Sequence, residues 1–578
     1  MDNKDFRNII QKQKQNGKVV KWEGSLFDYL QIVKDNPEVS NFASNRIFNM
    51  IMKHGVSEID ESFKTPGYDD IVSYNFFNKK IYGSYEAIHD IMRFLKAAAR
   101  RTETGRRILL MVGPVSSGKS TLAALIKRGL EKDDTPGYTI KGCPIHEEPL
   151  HAIPFDDRKE WEDQLNVKIE GVLCPVCQQK IDTDYTNEDG NIEWDKIPVE
   201  LITFSEQKRQ CIGTFQPSDP KSQDVSELIG RVNMSKIARY GETDPRAYQF
   251  NGELQIANRG MIEYIELLKC DIKFHYLLIT AAQEQLIKSP GFPQMYIDTL
   301  LLSHTNQTEF DTFKSDKKNE ALHDRSYPVH VPYNLKIDDE IKIYEKLISE
   351  SDFKDIHLAP YTLKIAAQFA ILTRLIPSAR VSSLIEKMKI YNGELSDEFT
   401  KEEIDVKSLR TEGRRKGEGM SGISPRFIIN ALNVALGQKE DDNCINPIDL
   451  IRALKNNFDH HIGIDEEDIA RYINMLIGDK DSVISEYKEI AKKEVNMSFM
   501  HAYEDQANEL FYRYMINVSA FCKKEKVFDS ITGEYSDPDE KIMRAIEEIA
   551  SVPVNSKKEF RNGVFVYKSD YLERGKEF

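Results

Sequence analysis

Residues 108–131 read ILLMVGPVSSGKSTLAALIKRGLE, and this stretch decides the fold. Five consecutive apolar residues, Ile108–Val112, stop at a Gly-Pro pair, which predicts a short strand buried on both faces. The next eight, Gly113-Pro114-Val115-Ser116-Ser117-Gly118-Lys119-Ser120, match the pattern GxxxxGK[ST] in full, and Thr121–Glu131 continues as a helix. Strand, glycine loop and helix in this order form the context a phosphate-binding loop requires. The glycines let the backbone turn so that several N–H groups face phosphate oxygens, and the helix N-terminus adds its partial positive charge. Lys119 reaches the β- and γ-phosphates, and the Ser120 hydroxyl is suited to ligate Mg²⁺. Residues Gly113–Thr121 are therefore expected to bind ATP with Mg²⁺.

On the N-terminal side of the loop, apolar residues recur at helical spacing in Leu26–Asn36 and Ser40–Met52, with breaks at Pro37 and Pro66–Gly67. An amphipathic helix is predicted to begin at Ile81 (IYGSYEAIHDIMRFLKAAARR). On the C-terminal side, residues 135–250 are irregular, punctuated by turn signals such as Asn187–Asn191 (NEDGN), and read as a long, partly structured insertion. Strand and helix patterns return over 251–333. Residues 335–460 are helical, with breaks near Pro377, Gly413–Gly422 and Pro447, and residues 461–578 are helical, acidic and rich in tyrosine. The expected architecture is an α/β core with a parallel sheet over residues 76–335, carrying the insertion at about 135–250. A helical lid follows at 336–460, and helical regions flank the whole at 1–75 and 461–578.

The chain has 578 residues, 40% hydrophobic and 30% charged, which is a globular composition with ample material for a core. No run approaches the roughly 18 apolar residues of a membrane span. The first residues lack the apolar core of a signal peptide. A net charge of −15 disfavours nucleic acid as the main partner. Seven cysteines in 578 residues make no disulfide framework and point to a reducing, cytoplasmic setting.

ATP hydrolysis needs an acid for the metal or the water, a polar sensor and an arginine. Candidate segments for these parts resemble AAA+ proteins, especially the magnesium-chelatase and MoxR-like branch. Gly252–Glu266 (GELQIANRGMIEYIE) is similar to that branch's approach to the Walker B strand. The resemblance assigns Glu266 to the water-activating glutamate and puts Ile265 where the metal-side aspartate belongs. The same stretch, Met261–Lys269, also reads as an amphipathic helix, and Glu263 is unusual inside a central strand. Ile297–Asn306 (IDTLLLSHTN) resembles the sensor-1 strand, with Asn306 as the sensor. Asn319–Pro332 resembles the stretch that holds an arginine finger, matching Arg325, and such a finger implies a homo-oligomer. Gly422–Arg426 (GISPR) opens a helix with Ser424 as N-cap and Pro425 in its first turn. It resembles the start of the lid helix that carries the sensor-2 arginine, here Arg426.

Seven blocks widen the resemblance: KWEGSLFDYL (21–30), IKGCPIHEEPLH (140–151), IGTFQPSDPKSQD (212–224), DPRAYQFNGEL (244–254), HTN (304–306), KNEALH (318–323) and EGMSGISPR (418–426). Together they resemble the bacterial PrkA family from about Lys21 to the end. Members are described as serine protein kinases built from an AAA+ domain and a PrkA C-terminal domain, and an ATP-dependent protease role has also been put forward. The resemblance implies a protein substrate, and it implies that the C-terminal region continues past residue 578. Against it, the chain has no HRD and no DFG, and no HExxH or GxSxG. Gly417-x-Gly419-x-x-Gly422 matches GxGxxG but leads into a helix, not a β-hairpin. A nucleotide-gated scaffold with feeble hydrolysis is the alternative that Ile265 favours.

Cys174-Pro-Val-Cys177 is a CxxC knuckle, and Cys143-x-x-His146 precedes it. The four side chains are a possible tetrahedral Zn²⁺ set. Glu147 and Glu148 read as a solvated acidic patch.

Overall fold

The computed structural model describes residues 21–216, 224–242, 244–350, 356–394, 405–438, 444–458, 465–502, 504–528, 535–549, 557–558 and 560–565. It divides into two compact units, Met1–Val483 and Ile484–Phe578.

In the first unit, β1 (Glu23–Ser25) leads into α1 (Leu26–Asp35) and α2 (Ala43–Met52), and α3 (Tyr85–Ala99) precedes β2 (Ile108–Val112). Then come α4 (Lys119–Lys132), β3 (Gly137–Ile140), α5 (Pro175–Asp184), β4 (Pro198–Ile202), β5 (Ile212–Phe215) and β6 (Met261–Ile265). The order continues with α6 (Ile272–Gln283), β7 (Leu300–Thr305), α7 (Gln307–Ser315) and β8 (Ser326–His330). Helices α8 (Ile337–Ser349), α9 (Thr362–Arg374), α10 (Val406–Arg415), α11 (Pro425–Gly437) and α12 (Pro447–Phe458) follow.

Strands β8-β2-β7-β6-β5 form one five-stranded sheet in that order, and every neighbouring pair is parallel. All five residues of β2 are buried, as a central strand with helices on both faces demands. Leu109 and Met111 pack with α3 and α4 on one side, while Ile108 joins the cluster on the other. The C-terminal edges of parallel strands coincide, so the loops after β2, β6 and β7 emerge at one end of the sheet.

Met261–Ile265 is a strand, flanked by β7 and β5, so the helical reading of this segment fails. Its misfit glutamate is explained by pairing. Glu263 lies 2.5 Å from Lys127 Nζ on α4 and 3.0 Å from His304 Nε2 on β7. Burial alone would raise the Glu263 pKa, but these two partners hold it below the usual carboxylate range.

The stretch read as a loose insertion is more ordered than its turn residues suggest. It supplies β5, an edge strand of the core sheet, together with β3 and β4 of a second, antiparallel sheet in the order β1-β4-β3. That sheet and α1 share one apolar cluster with Leu150, Ile153, Leu165 and the buried cysteines Cys143, Cys174 and Cys177. Each strand here has only three to five residues, too short for the period-2 signal to stand out. Part of the block IGTFQPSDPKSQD, residues 217–223, lies outside the described residues.

In the second unit, the helices Glu504–Lys523 and Glu540–Ile549 pack through Tyr514, Met515, Val518 and Met543. Arg561 is paired with the Glu547 carboxylate at 2.5 Å. No helix among the described residues is long and apolar enough to cross a membrane.

Candidate nucleotide site

The phosphate loop connects β2 to α4, and its first residue is tied to the sheet by Gly113 N–H donating to Thr305 O at 3.3 Å. Ser116 (φ 66°) and Gly118 (φ 95°) both adopt left-handed backbone, which turns successive amides into a concave nest. Gly113 is needed for close approach, because a Cβ there would lie 2.2 Å from Val331 O. Lys119 Nζ lies inside the loop, donating to Gly113 O at 2.7 Å and Pro114 O at 2.6 Å. Ser116 Oγ is buried with no hydrogen-bond partner among the described residues. Ser120, at the first turn of α4, is exposed. An ammonium, a nest of amides, an unsatisfied hydroxyl and an open serine are the donor set that a polyphosphate with Mg²⁺ requires.

The loop opens onto a cleft of about 220 Å³. Ser116–Thr121 form its floor, and Tyr82, Tyr333, Lys346 and Arg426 line the walls. Ser424 caps α11 by accepting from Phe427 N–H at 3.3 Å, and Pro425 follows it in the first turn. That cap fixes where α11 starts, and so places Arg426 beside the phosphate loop. Tyr333 closes on the loop from β8, donating from its hydroxyl to Val115 O at 2.6 Å.

Burial brings the Lys119 pKa down to about 8. Phosphate oxygens favour the charged form, so the pKa is higher with nucleotide bound than without. A group whose pKa rises on binding contributes fully below its free value and loses that contribution as pH climbs above it. ATP affinity is therefore expected to fall about tenfold between pH 7 and pH 9, with proton uptake at the higher pH, both measurable by calorimetry in buffers of different ionisation heat.

The other expected ATPase residues are distributed around this cleft unevenly. Asn306 caps α7, its carbonyl oxygen accepting from Glu309 N–H at 2.7 Å. It directly follows the β7 residue Thr305 that pairs with Val112, so it stands one strand spacing, about 5 Å, from the loop's entry. Glu266 ends β6 one strand further out, in left-handed backbone at φ 56°. Its side chain is 53% exposed and pairs with Lys269 at 3.2 Å. Neither Glu266 nor Asn306 lines the cleft. Arg325 is at the opposite end of the sheet: its carbonyl accepts from Ile108 N–H, at the start of β2. Its Nε donates to Gln283 Oε1 at 2.8 Å. Five strand residues separate it from the phosphate-loop edge, roughly 16 Å, so Arg325 does not reach the phosphate loop.

Two features escaped the sequence reading. The helix predicted from Ile81 begins at Tyr85, and Ile81, Tyr82 and Ser84 are loop residues in the cleft wall. The break comes from Gly83 (φ 73°), where a Cβ would meet Asn334 Oδ1 at 2.3 Å. Tyr333 had no motif to mark it. Gly417, Gly419 and Gly422 all have positive φ, and they serve a close crossing of chains: Tyr333 N–H donates to Gly419 O at 2.8 Å, and Gly419 N–H to Arg374 O at 3.1 Å. The loop joins α10 to α11, with no β-hairpin around it.

The expected zinc set needs correction. The sulfur atoms of Cys143, Cys174 and Cys177 and a Glu147 carboxylate oxygen all lie within 4.8 Å of one another, and His146 is not in the group. His146 sits in left-handed backbone at φ 50°, which turns the residue out of line with its neighbours. Nor are Glu147 and Glu148 a solvated patch, since both are buried. Glu148 pairs with Arg259 at 2.5 Å and accepts from the Tyr29 hydroxyl. Glu147 faces the cysteines.

A parallel sheet whose loop-bearing strand lies between β8 and β7, with helices after β8 lining the cleft over the loop, defines an ATP-binding AAA+ domain. The family comparison agrees with the geometry. Residues 24–382 match the PrkA AAA domain and residues 385–578 match the PrkA serine protein kinase C-terminal domain, so the chain belongs to the PrkA family. It is 44% identical to the ATP-dependent protease PrkA of Bacillus subtilis (strain 168), over 99% of this chain and 88% of that one. It is 30% identical to the serine/threonine kinase YeaG of Escherichia coli (strain K12), over 84% of this chain and 75% of that one. Among solved structures, NtrX from Brucella abortus in complex with ATP is similar at 12% identity and TM-score 0.25, over 68% of each chain.

Proposed function

We propose that this chain is an ATP-hydrolysing AAA+ enzyme that works as an oligomer and phosphorylates or remodels protein substrates. The observation that carries this reading is the convergence of Lys119, Ser120 and Arg426 on one cleft. In it, Lys119 and the loop amides hold the β- and γ-phosphates, and Arg426 pairs with γ-phosphate oxygens from the facing wall. Mg²⁺ held by Ser120 neutralises charge on the transferring phosphoryl group. Asn306 keeps its amide N–H groups for the attacking water or hydroxyl, its oxygen being used in the cap. Arg325, at the far end of the sheet, serves the nucleotide of a neighbouring subunit. The names of the relatives favour a protein as the acceptor.

A second reading, a nucleotide-gated scaffold with slow turnover, is favoured by Ile265 in place of a metal-binding aspartate and by the exposed, lysine-paired Glu266. Incubation with γ-labelled ATP and a cell lysate separates the possibilities. Label on protein serine means phosphotransfer, and free phosphate alone means an ATP-driven machine. Neither product, with nucleotide still bound, means a scaffold.

The role in trans has its own test. Arg325→Ala is expected to lower turnover by about 10³-fold. Mixing it with Lys119→Met should restore activity, because the second variant donates Arg325 to the intact loop of the first. A mixture no more active than the sum of its parts removes the trans role.

A further inference from the structure

We propose that Cys143, Glu147, Cys174 and Cys177 bind one zinc ion that staples the segment after β3 to the start of α5. The ligand atoms already converge within 4.8 Å, and all four residues are buried. Cys143 and Cys174 sulfurs are 3.9 Å apart, wider than a disulfide and close to the spacing of two ligands on one tetrahedral ion.

The backbone around these side chains is arranged for thiolates. Glu147 N–H lies 3.5 Å from Cys143 Sγ, and Cys177 N–H lies 3.4 Å from Cys174 Sγ. Cys174 is the N-cap of α5 and Cys177 lies in its first turn, so the helix end adds positive potential to both sulfurs. Glu147 Oε2 is fixed by Cys174 N–H at 2.7 Å, and Oε1 lies 3.4 Å from Cys143 Sγ. His151 Nδ1, at 3.7 Å from Glu147 Oε2, is the facing side-chain base; such a contact orients a carboxylate ligand from behind.

Three sulfurs and one carboxylate select zinc over magnesium or calcium, which prefer all-oxygen shells. On binding, the three thiols release their protons to solvent and the thiolates take up the ion. The site bears on the core because its neighbours do. Glu148, next to the ligand Glu147, pairs with Arg259, and Asn258 Nδ2 donates to Ile145 O at 2.9 Å. Both Asn258 and Arg259 lie just before β6, so the staple holds the segment that leads into that strand.

The test is metal analysis and X-ray absorption on the full chain purified without chelator. The expected result is one zinc per chain, with three sulfur neighbours near about 2.3 Å and one oxygen near about 2.0 Å. Less than half an equivalent of zinc, another metal in its place, or a shell without sulfur overturns the proposal. Cys177→Ser should lose the ion. Because that variant can fail to fold, His146→Ala gives a second arm: it should keep a full equivalent of zinc, and loss of the metal there refutes the assignment of Glu147.

Discussion

Replacing Lys119 by methionine is expected to abolish measurable ATP binding and leave the fold intact. The ammonium is the one side-chain cation held inside the phosphate loop, 2.7 Å from Gly113 O and 2.6 Å from Pro114 O. Removing one partner of a desolvated, hydrogen-bonded charge pair costs about 2–5 kcal/mol, or roughly 30-fold to more than 10³-fold in affinity. Methionine keeps the volume and apolar character of the lysine stem, which is buried at the start of α4. Pro114 O keeps the Ser117 N–H as a partner. Stability should therefore change by less than about 1.5 kcal/mol, while nucleotide titration by calorimetry or anisotropy goes flat. Undiminished ATP uptake by Lys119→Met removes this cleft as the nucleotide site.

The contrast between the loop and the rest of the site shows what a sequence makes legible. The phosphate loop is contiguous: strand, turn and helix N-terminus are encoded in thirteen residues, Ile108–Ser120, and each residue type has a local reason. The start of the helix that carries Arg426 was equally readable, since Ser424-Pro425 is a local signal for it, whereas the arginine's place over the loop came only from the resemblance to a lid helix. Glu263 misled the reading because its partners, Lys127 and His304, are remote in sequence and adjacent in the sheet. A carboxylate in a central strand is anomalous only until its cation is known.

The same limit hid the strands of the insertion. Strand β4 pairs with β3 across about 60 residues and with β1 across about 175, and none of the three has enough alternation to announce itself. At the cysteines, spacing pointed to three of the four side chains that the fold brings together. The choice of Glu147 over His146 depends on which way one turn of backbone faces, and the His146 φ of 50° is not written in the motif. Gly83 and Tyr333 belong to the same class, because close approach between distant segments sets their roles.

Arg374 is the residue whose loss should unsettle the molecule most. It and Glu340 form an ion pair of 2.7 Å with both side chains at 0% exposure. The guanidinium also donates to Ile423 O at 3.0 and 2.9 Å and to Asn334 O at 2.9 Å, and it stacks 4.6 Å over the Tyr333 ring. Arg374→Met leaves a buried carboxylate without its cation and two carbonyls without donors, which costs about 3–5 kcal/mol. The double variant Arg374→Met/Glu340→Gln removes the stranded charge and should be more stable than the single one, although the carbonyl bonds stay broken. Denaturant titration of both variants checks this, and a double variant no more stable than the single one means that the pair is not coupled by charge. The nucleotide readout should behave differently. Tyr333 touches the phosphate loop at Val115, and Ile423 precedes the cap that places Arg426. Both depend on the guanidinium and not on the charge of residue 340. ATP affinity is therefore expected to fall in the single variant and to stay low in the double one, so stability recovers while binding does not.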